Sequence, residues 1–169
     1  VALPTAPSPA VRMKHLRISV LATRSPTTTC MQIAEVGIRR AGQGVSLVGF
    51  KAESPGSQSP LNEGPEKLLQ SAGKFLDSNF RTRGQTVLLL TAPEPTDMED
   101  IALRTPNDNP CRDPTQVVVD GSLNGQEWVR LLDTGPELPV PGERKAWTPW
   151  LALQELGPAK EQAAPPQSG

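Results

Sequence analysis

The chain has 169 residues, 17 basic and 18 acidic, for a formal net charge of -1. Charges this balanced and this evenly spread leave no electrostatic footprint for DNA, RNA or an anionic membrane. The longest apolar run, "TVLLL" at 86–90, is strand-sized and far short of the roughly 20 residues of a membrane span. A single domain of this length buries enough surface to fold without a metal or disulfide staple.

The opening "VALPTAPSPAV" has no initiator Met and no charged-then-apolar leader. It reads as the mature end left by removal of a targeting peptide, or as a trimmed chain. Residues 1–12 are Pro/Ala-rich and are expected to be an extended arm. "KHLRISVLAT" (14–23) alternates Leu16, Ile18 and Val20 with polar residues, as a half-buried strand does. The one histidine, His15, lies on this strand, and nothing around it supplies a metal or acid–base partner. "CMQIAEVGIRR" (30–40) predicts a strand kinked near Glu35. "VSLVGFKA" (45–52) predicts another, followed by a long Ser/Pro/Gly loop over 53–65.

"EKLLQSAGKFLD" (66–77) predicts one helical turn and a short strand, and "TVLLLTA" and "EDIALRT" predict two further strands. In "TQVVVDGSLNGQEWVRLLDT", strands at 115–121 and 127–133 are joined at Asn124-Gly125, a dipeptide that favours the positive φ of hairpin turns. "RKAWTPWLALQ" predicts a last strand, and 155–169 has the composition of an extended tail. Short strands and Pro/Gly loops without a long helix predict an all-β sandwich or jelly roll.

Several segments carry a family resemblance in chain order: "MQIAEVGI", "EGPEKLL", "KFLD", "NDNPCRDPTQVVVDGSLNGQEWVRLLD" and "WTPWLAL". Together they resemble the galactose-binding-like β-sandwich family related to the discoidin domains of coagulation factors. Its run Asn-Asp-x-Pro-x-Arg-Asp-Pro matches residues 107–114, and the resemblance spans about 14–154. It implies a jelly-roll-like sandwich over 13–154 with extended Pro-rich arms at 1–12 and 155–169. The chain departs from the family at Leu69-Gln70-Ser71, which lacks the family's turn aspartate, and at Phe75, where the family has Trp. Asp120 is kept, and Asn124 replaces the hairpin aspartate.

Asn107, Asp108, Arg112 and Asp113 combine carboxylates with an arginine, a set that can hold calcium or a sugar hydroxyl. The structural reading is preferred: Arg112 bridges Asp108 or Asp113, and the side chains satisfy backbone groups in a loop with Pro106, Pro110 and Pro114. Calcium is the minor alternative, near Asp108, Asp113 or Asp77, and no other cofactor or metal is expected. No nucleophile–base pair and no phosphate loop is present, so no enzyme activity is expected. Three Trp and no Tyr give little to stack a sugar on. Trp128 and Trp150 are assigned to the core, which leaves Trp147 as the free aromatic.

Cys30 and Cys111 fit no zinc spacing and are either free thiols or one long-range disulfide; they are expected to lie near each other at the loop end of the sandwich, as a disulfide candidate. These readings converge on a non-catalytic accessory subunit docking through loops and tails onto a larger assembly. An organelle lumen, thylakoid or similar, after transit-peptide removal is the expected location, with a photosynthetic or respiratory membrane complex among the candidate assemblies. The alternative is a secreted carbohydrate-binding module using Trp147, Arg112 and Asp108.

Overall fold

In a computed structural model describing residues 10–160, the chain is built from antiparallel sheets. The longest strand pair sets the frame. β1 (Val11–Thr23) lies between β7 (Thr86–Met98) and β9 (Pro114–Ser122) in a six-stranded sheet of order β12-β10-β9-β1-β7-β5. β10 is Val129–Asp133, β12 Gly157–Pro158 and β5 Lys51–Glu53. A second sheet has the order β11-β8-β3-β4, from Leu151–Ala152, Asp100–Arg104, Glu35–Arg40 and Gln43–Gly44. A third pairs β2 (Met31–Ile33) with β6 (Phe75–Asp77).

Alternation explains the core. Leu16, Ile18 and Val20 of β1 and Leu88 and Leu90 of β7 are at most 1% exposed. They join Val36, Ile38, Ile101 and Leu103 of the second sheet in one apolar cluster. Burying such a side chain is worth roughly 1.5–3 kcal/mol, so this shared inner face holds the two sheets together.

Irregularities fall where the sequence forces them. Met13 pairs with Thr96 and His15 with Thr91, so residues 92–95 bulge out of β7 opposite Lys14. Pro93 and Pro95 lie in that bulge, where their missing N–H groups cost no ladder bond. In β10 a second bulge skips Leu131 and turns its side chain, 0% exposed, into the core.

The β9–β10 pair is antiparallel, as expected, with Val129 opposite Gly121. Its connection is wider than a two-residue turn. Asn124 Oδ1 accepts from the N–H of Gln126 (2.8 Å) and Glu127 (2.9 Å), and Gly125 takes φ 75°. The break predicted near Glu35 falls at Ala34, between β2 and β3. The expected turn and strand over 66–77 appear as a 3-10 turn, Pro65–Leu69, followed by β6.

Two strand expectations are corrected. The 45–52 strand does not form: Val45, Leu47 and Phe50 pack on the core from a loop, and only Lys51–Glu53 pairs. A turn bond from Phe50 N–H to the Leu47 carbonyl, with Gly49 at φ 85°, takes the backbone out of extension there. The last strand shrinks to Leu151–Ala152 plus one bridge, Arg104 to Trp147. β1 begins at Val11, and β12 adds Gly157–Pro158 to the edge of β10, so paired strands extend slightly to either side of 13–154. The remainder of both expected arms, 1–9 and 161–169, lies outside the described residues. Among the described residues no helix is long and apolar enough to cross a membrane.

Candidate functional site

The loop following β8 is organised by two carboxylates. Asp113 is 0% exposed and binds two arginines. Arg24 Nη2 lies 3.0 Å from its Oδ2, and Arg144 Nη1 donates to its Oδ1 at 3.0 Å while Nη2 reaches Oδ2. This two-pronged contact is the geometry in which guanidinium binds carboxylate most strongly, and it raises the Arg144 pKa further. The same arginines tie this loop to the 141–144 segment: Arg24 donates to the carbonyls of Pro110 and Pro141, Arg144 to those of Asp108 and Gly142.

The polar, proline-rich loop is therefore a structural corner whose carbonyls are satisfied by side chains. Arg112 contributes its backbone N–H, bonded to the Asn109 carbonyl at 3.0 Å, and a charge that helps lower the Asp108 pKa from a distance. Among the described residues it forms no salt bridge, so the expected Arg112 bridge to Asp108 or Asp113 is replaced by Arg24 and Arg144.

Asp108 forms the second centre. Lys74, only 11% exposed at its side chain, places Nζ 2.6 Å from Asp108 Oδ1 and 3.8 Å from Glu63. Gln32, fully buried on β2, donates Nε2 to the same Oδ1 at 3.0 Å and to the Asp108 carbonyl at 2.9 Å. The lysine hydrogen bond, aided by Gln32, holds the Asp108 carboxyl below its usual range. Lys74, Asp108 and the exposed Asn107 line a cleft of about 590 Å³, with Asn62, Arg104 and Lys145 around it.

Asp77 belongs to neither centre. It accepts from the N–H of Gln58 and Asn79 and from Thr86 Oγ1, all inside the fold. The three calcium candidates, Asp77, Asp108 and Asp113, are thus each held by internal donors. Among the described residues no three His, Cys, Asp or Glu side chains gather as a metal-holding group.

The tryptophans depart most from expectation. Trp128 is half-buried outside any strand, with the Arg17 guanidinium 4.2 Å from its ring centre. Trp147 and Trp150 are 43% and 40% exposed, so Trp150 is a surface residue and not core. Both indoles lie over the outer face of the second sheet, where Gly37 and Ala102 face each other across β3 and β8. These two small residues make the bed on which the rings rest: a Cβ added at Gly37 would stand 3.1 Å from Trp147 and 3.3 Å from Trp150. Arg39, paired with Asp100 at 3.0 Å, covers a face of Trp150 at 4.7 Å.

Of the two alternatives for Cys30 and Cys111, the structure has free thiols and no disulfide between them. Their loops do meet, through the N–H of Ser25 and the carbonyl of Cys111 (3.0 Å). Of the candidates, Asn107 and Asp108 share the cleft, Asp113 sits behind it, and Trp147 belongs to the aromatic surface alongside. Arg24, Gln32, Lys74, Arg144 and Trp150 escaped the reading of the sequence. Lys74, Gln32 and Trp150 carried a signal, as members of the "KFLD", "MQIAEVGI" and "WTPWLAL" segments; Arg24 and Arg144 carried none.

Comparison with protein-family models, curated proteins and solved structures returns no match to this chain.

Proposed function

We propose that the chain is a non-catalytic accessory domain of the galactose-binding-like, jelly-roll type, which docks onto a larger protein assembly. The fold part of this reading is supported by two main antiparallel sheets sharing one core. The observation that carries the function is the Trp147–Trp150–Arg39 surface. Tryptophan and arginine are the residues that dominate binding energy at protein interfaces. Here the two rings are fixed on Gly37 and Ala102, so little side-chain freedom is lost on docking.

A glycan is the second reading, favoured by the same pair of exposed indoles. A sugar needs a free aromatic face, however, and Arg39 occupies one on Trp150. The test compares the wild-type chain with Trp147→Ala/Trp150→Ala by cross-linking mass spectrometry in extract of the source organism, and on a glycan array. Cross-links from the 147–150 segment to one stoichiometric protein partner, lost in the variant, are expected. Array binding abolished by Trp147→Ala, without such a partner, would transfer the assignment to carbohydrate.

A further inference from the structure

The cleft beside the aromatic surface has a charge pattern that the docking reading does not use. Three cations, Lys74, Arg104 and Lys145, face two carboxylates, Glu63 and Asp108. Both carboxylates are turned toward Lys74, at 3.8 and 2.6 Å. Arg104 and Lys145 are left over: among the described residues neither has a carboxylate within 4.0 Å. Glu35 stands opposite Arg104 across β3 and β8 without reaching that distance; burial raises its carboxyl pKa, and the Arg104 charge opposes that rise from outside contact range. Among the described residues the Arg104 side chain makes only a long bond, Nε to the Lys145 carbonyl at 3.4 Å.

The side chains lining the cleft therefore carry a surplus of one positive charge, with Glu35 acting on Arg104 only from behind, and the cleft's volume of about 590 Å³ lies in the range of small-molecule sites. Its walls offer further polar groups. Both side-chain bonds to Asp108 fall on Oδ1, leaving Oδ2 open to a hydroxyl donor. The amides of Asn62 and Asn107 line the same space. Lys145 and Asn62 also sit at positive φ, 57° and 68°. A lysine there is costly, where a glycine would sit freely.

From this we propose that the cleft is a binding site for a small hydroxylated carboxylate. Arg104 and Lys145 hold the carboxylate, while Asp108 Oδ2 and the Asn62 and Asn107 amides take the hydroxyls. A guanidinium fork suits a carboxylate, and a surplus of one charge matches a monoanion rather than a phosphate dianion.

Isothermal titration with glucuronate as probe, and with glucose and inorganic phosphate as controls, tests this. Saturable glucuronate binding that weakens with salt is expected, with no heat from glucose and weaker heat from phosphate. Arg104→Gln should weaken it at least about tenfold, the loss of one charge-assisted bond. Lys145→Gly removes the second cation at a backbone position that glycine prefers, so the fold is kept and affinity should fall by a similar factor. Trp147→Ala should leave glucuronate binding intact, which separates this site from the docking surface. Equal binding of glucose, tighter binding of phosphate, or affinity unchanged in Lys145→Gly each overturns the proposal.

Discussion

Replacing Asp113 by Asn removes one negative charge from a point where two guanidinium groups converge. The carboxylate is fully buried, while the Arg144 and Arg24 side chains are 20% and 37% exposed. Removing one partner of a buried pair costs about 3–5 kcal/mol. Two features reduce that figure. Asn keeps one acceptor for Arg144, and Arg24 is exposed enough for water to take over its half of the contact. A loss of about 3 kcal/mol remains. For a chain of this size that lowers Tm by roughly 6–12 °C, at roughly 2–4 °C per kcal/mol.

The assay is a urea melt of wild type, Asp113→Asn, Arg144→Gln and the double variant. The double should fall short of additivity by at least about 1 kcal/mol, because Arg144 has lost its reason to be there once Asp113 is gone. An Asp113→Asn variant within about 0.5 kcal/mol of wild type, the usual span of a surface substitution, would refute the assignment of this ion pair as the anchor of the loop.

Gly37→Ala should displace the indoles of Trp147 and Trp150 and shift their fluorescence, at a cost of about 1 kcal/mol because exposed rings can give way; unchanged emission would show that the rings do not rest on that glycine. Asp108 has its pKa depressed by Lys74, so its contribution is present above about pH 4 and lost as pH falls through the lower folded value. Asp108→Asn should therefore be less stable than wild type at neutral pH, and the gap should close in acid; a gap independent of pH contradicts the pairing. Glu35 has the opposite sign: burial raises its pKa, so its charged form costs stability at neutral pH, and that stability returns as pH falls through the raised value. Glu35→Gln should be more stable at pH 7 by less than about 1 kcal/mol and indistinguishable near pH 4; a destabilised variant at pH 7 would show that the charge is needed. Thiol titration of the native chain should find two free groups without reductant, the exposed Cys111 reacting before the half-buried Cys30; thiols that appear only after reduction would restore the bridge.

The strands were legible where burial is one-sided. Leu16, Ile18 and Val20 alternate because β1 has a core face, and period two reports that directly. The same signal misled at Val45 and Leu47, which bury themselves from a loop without a partner strand. It misled again at Trp150: a pattern of apolar residues does not say whether a face meets the core or rests on the outside of a sheet. The corner at 105–114 was legible as a corner, since its prolines demand side-chain acceptors and donors. Its partners were not, because Arg24 lies 89 residues from Asp113 and Arg144 lies 31. Lys74 meets Asp108 across 34 residues, so the cleft is a product of topology.

The place of β1 at the centre of the larger sheet has a consequence for synthesis. Leu16 faces Leu90 on one side and Gly121 on the other, so neither neighbour can be reached by a hairpin. Both pairings require long loops to close first, which places the chain among slow folders, in the millisecond-to-second range. On a ribosome adding roughly 5–20 residues per second, the apolar side of β1 waits roughly 5–20 s before β9 exists. Until β7 is made, Leu16, Ile18 and Val20 have no partner strand, and until β9 follows one edge of β1 stays open, an aggregation-prone arrangement.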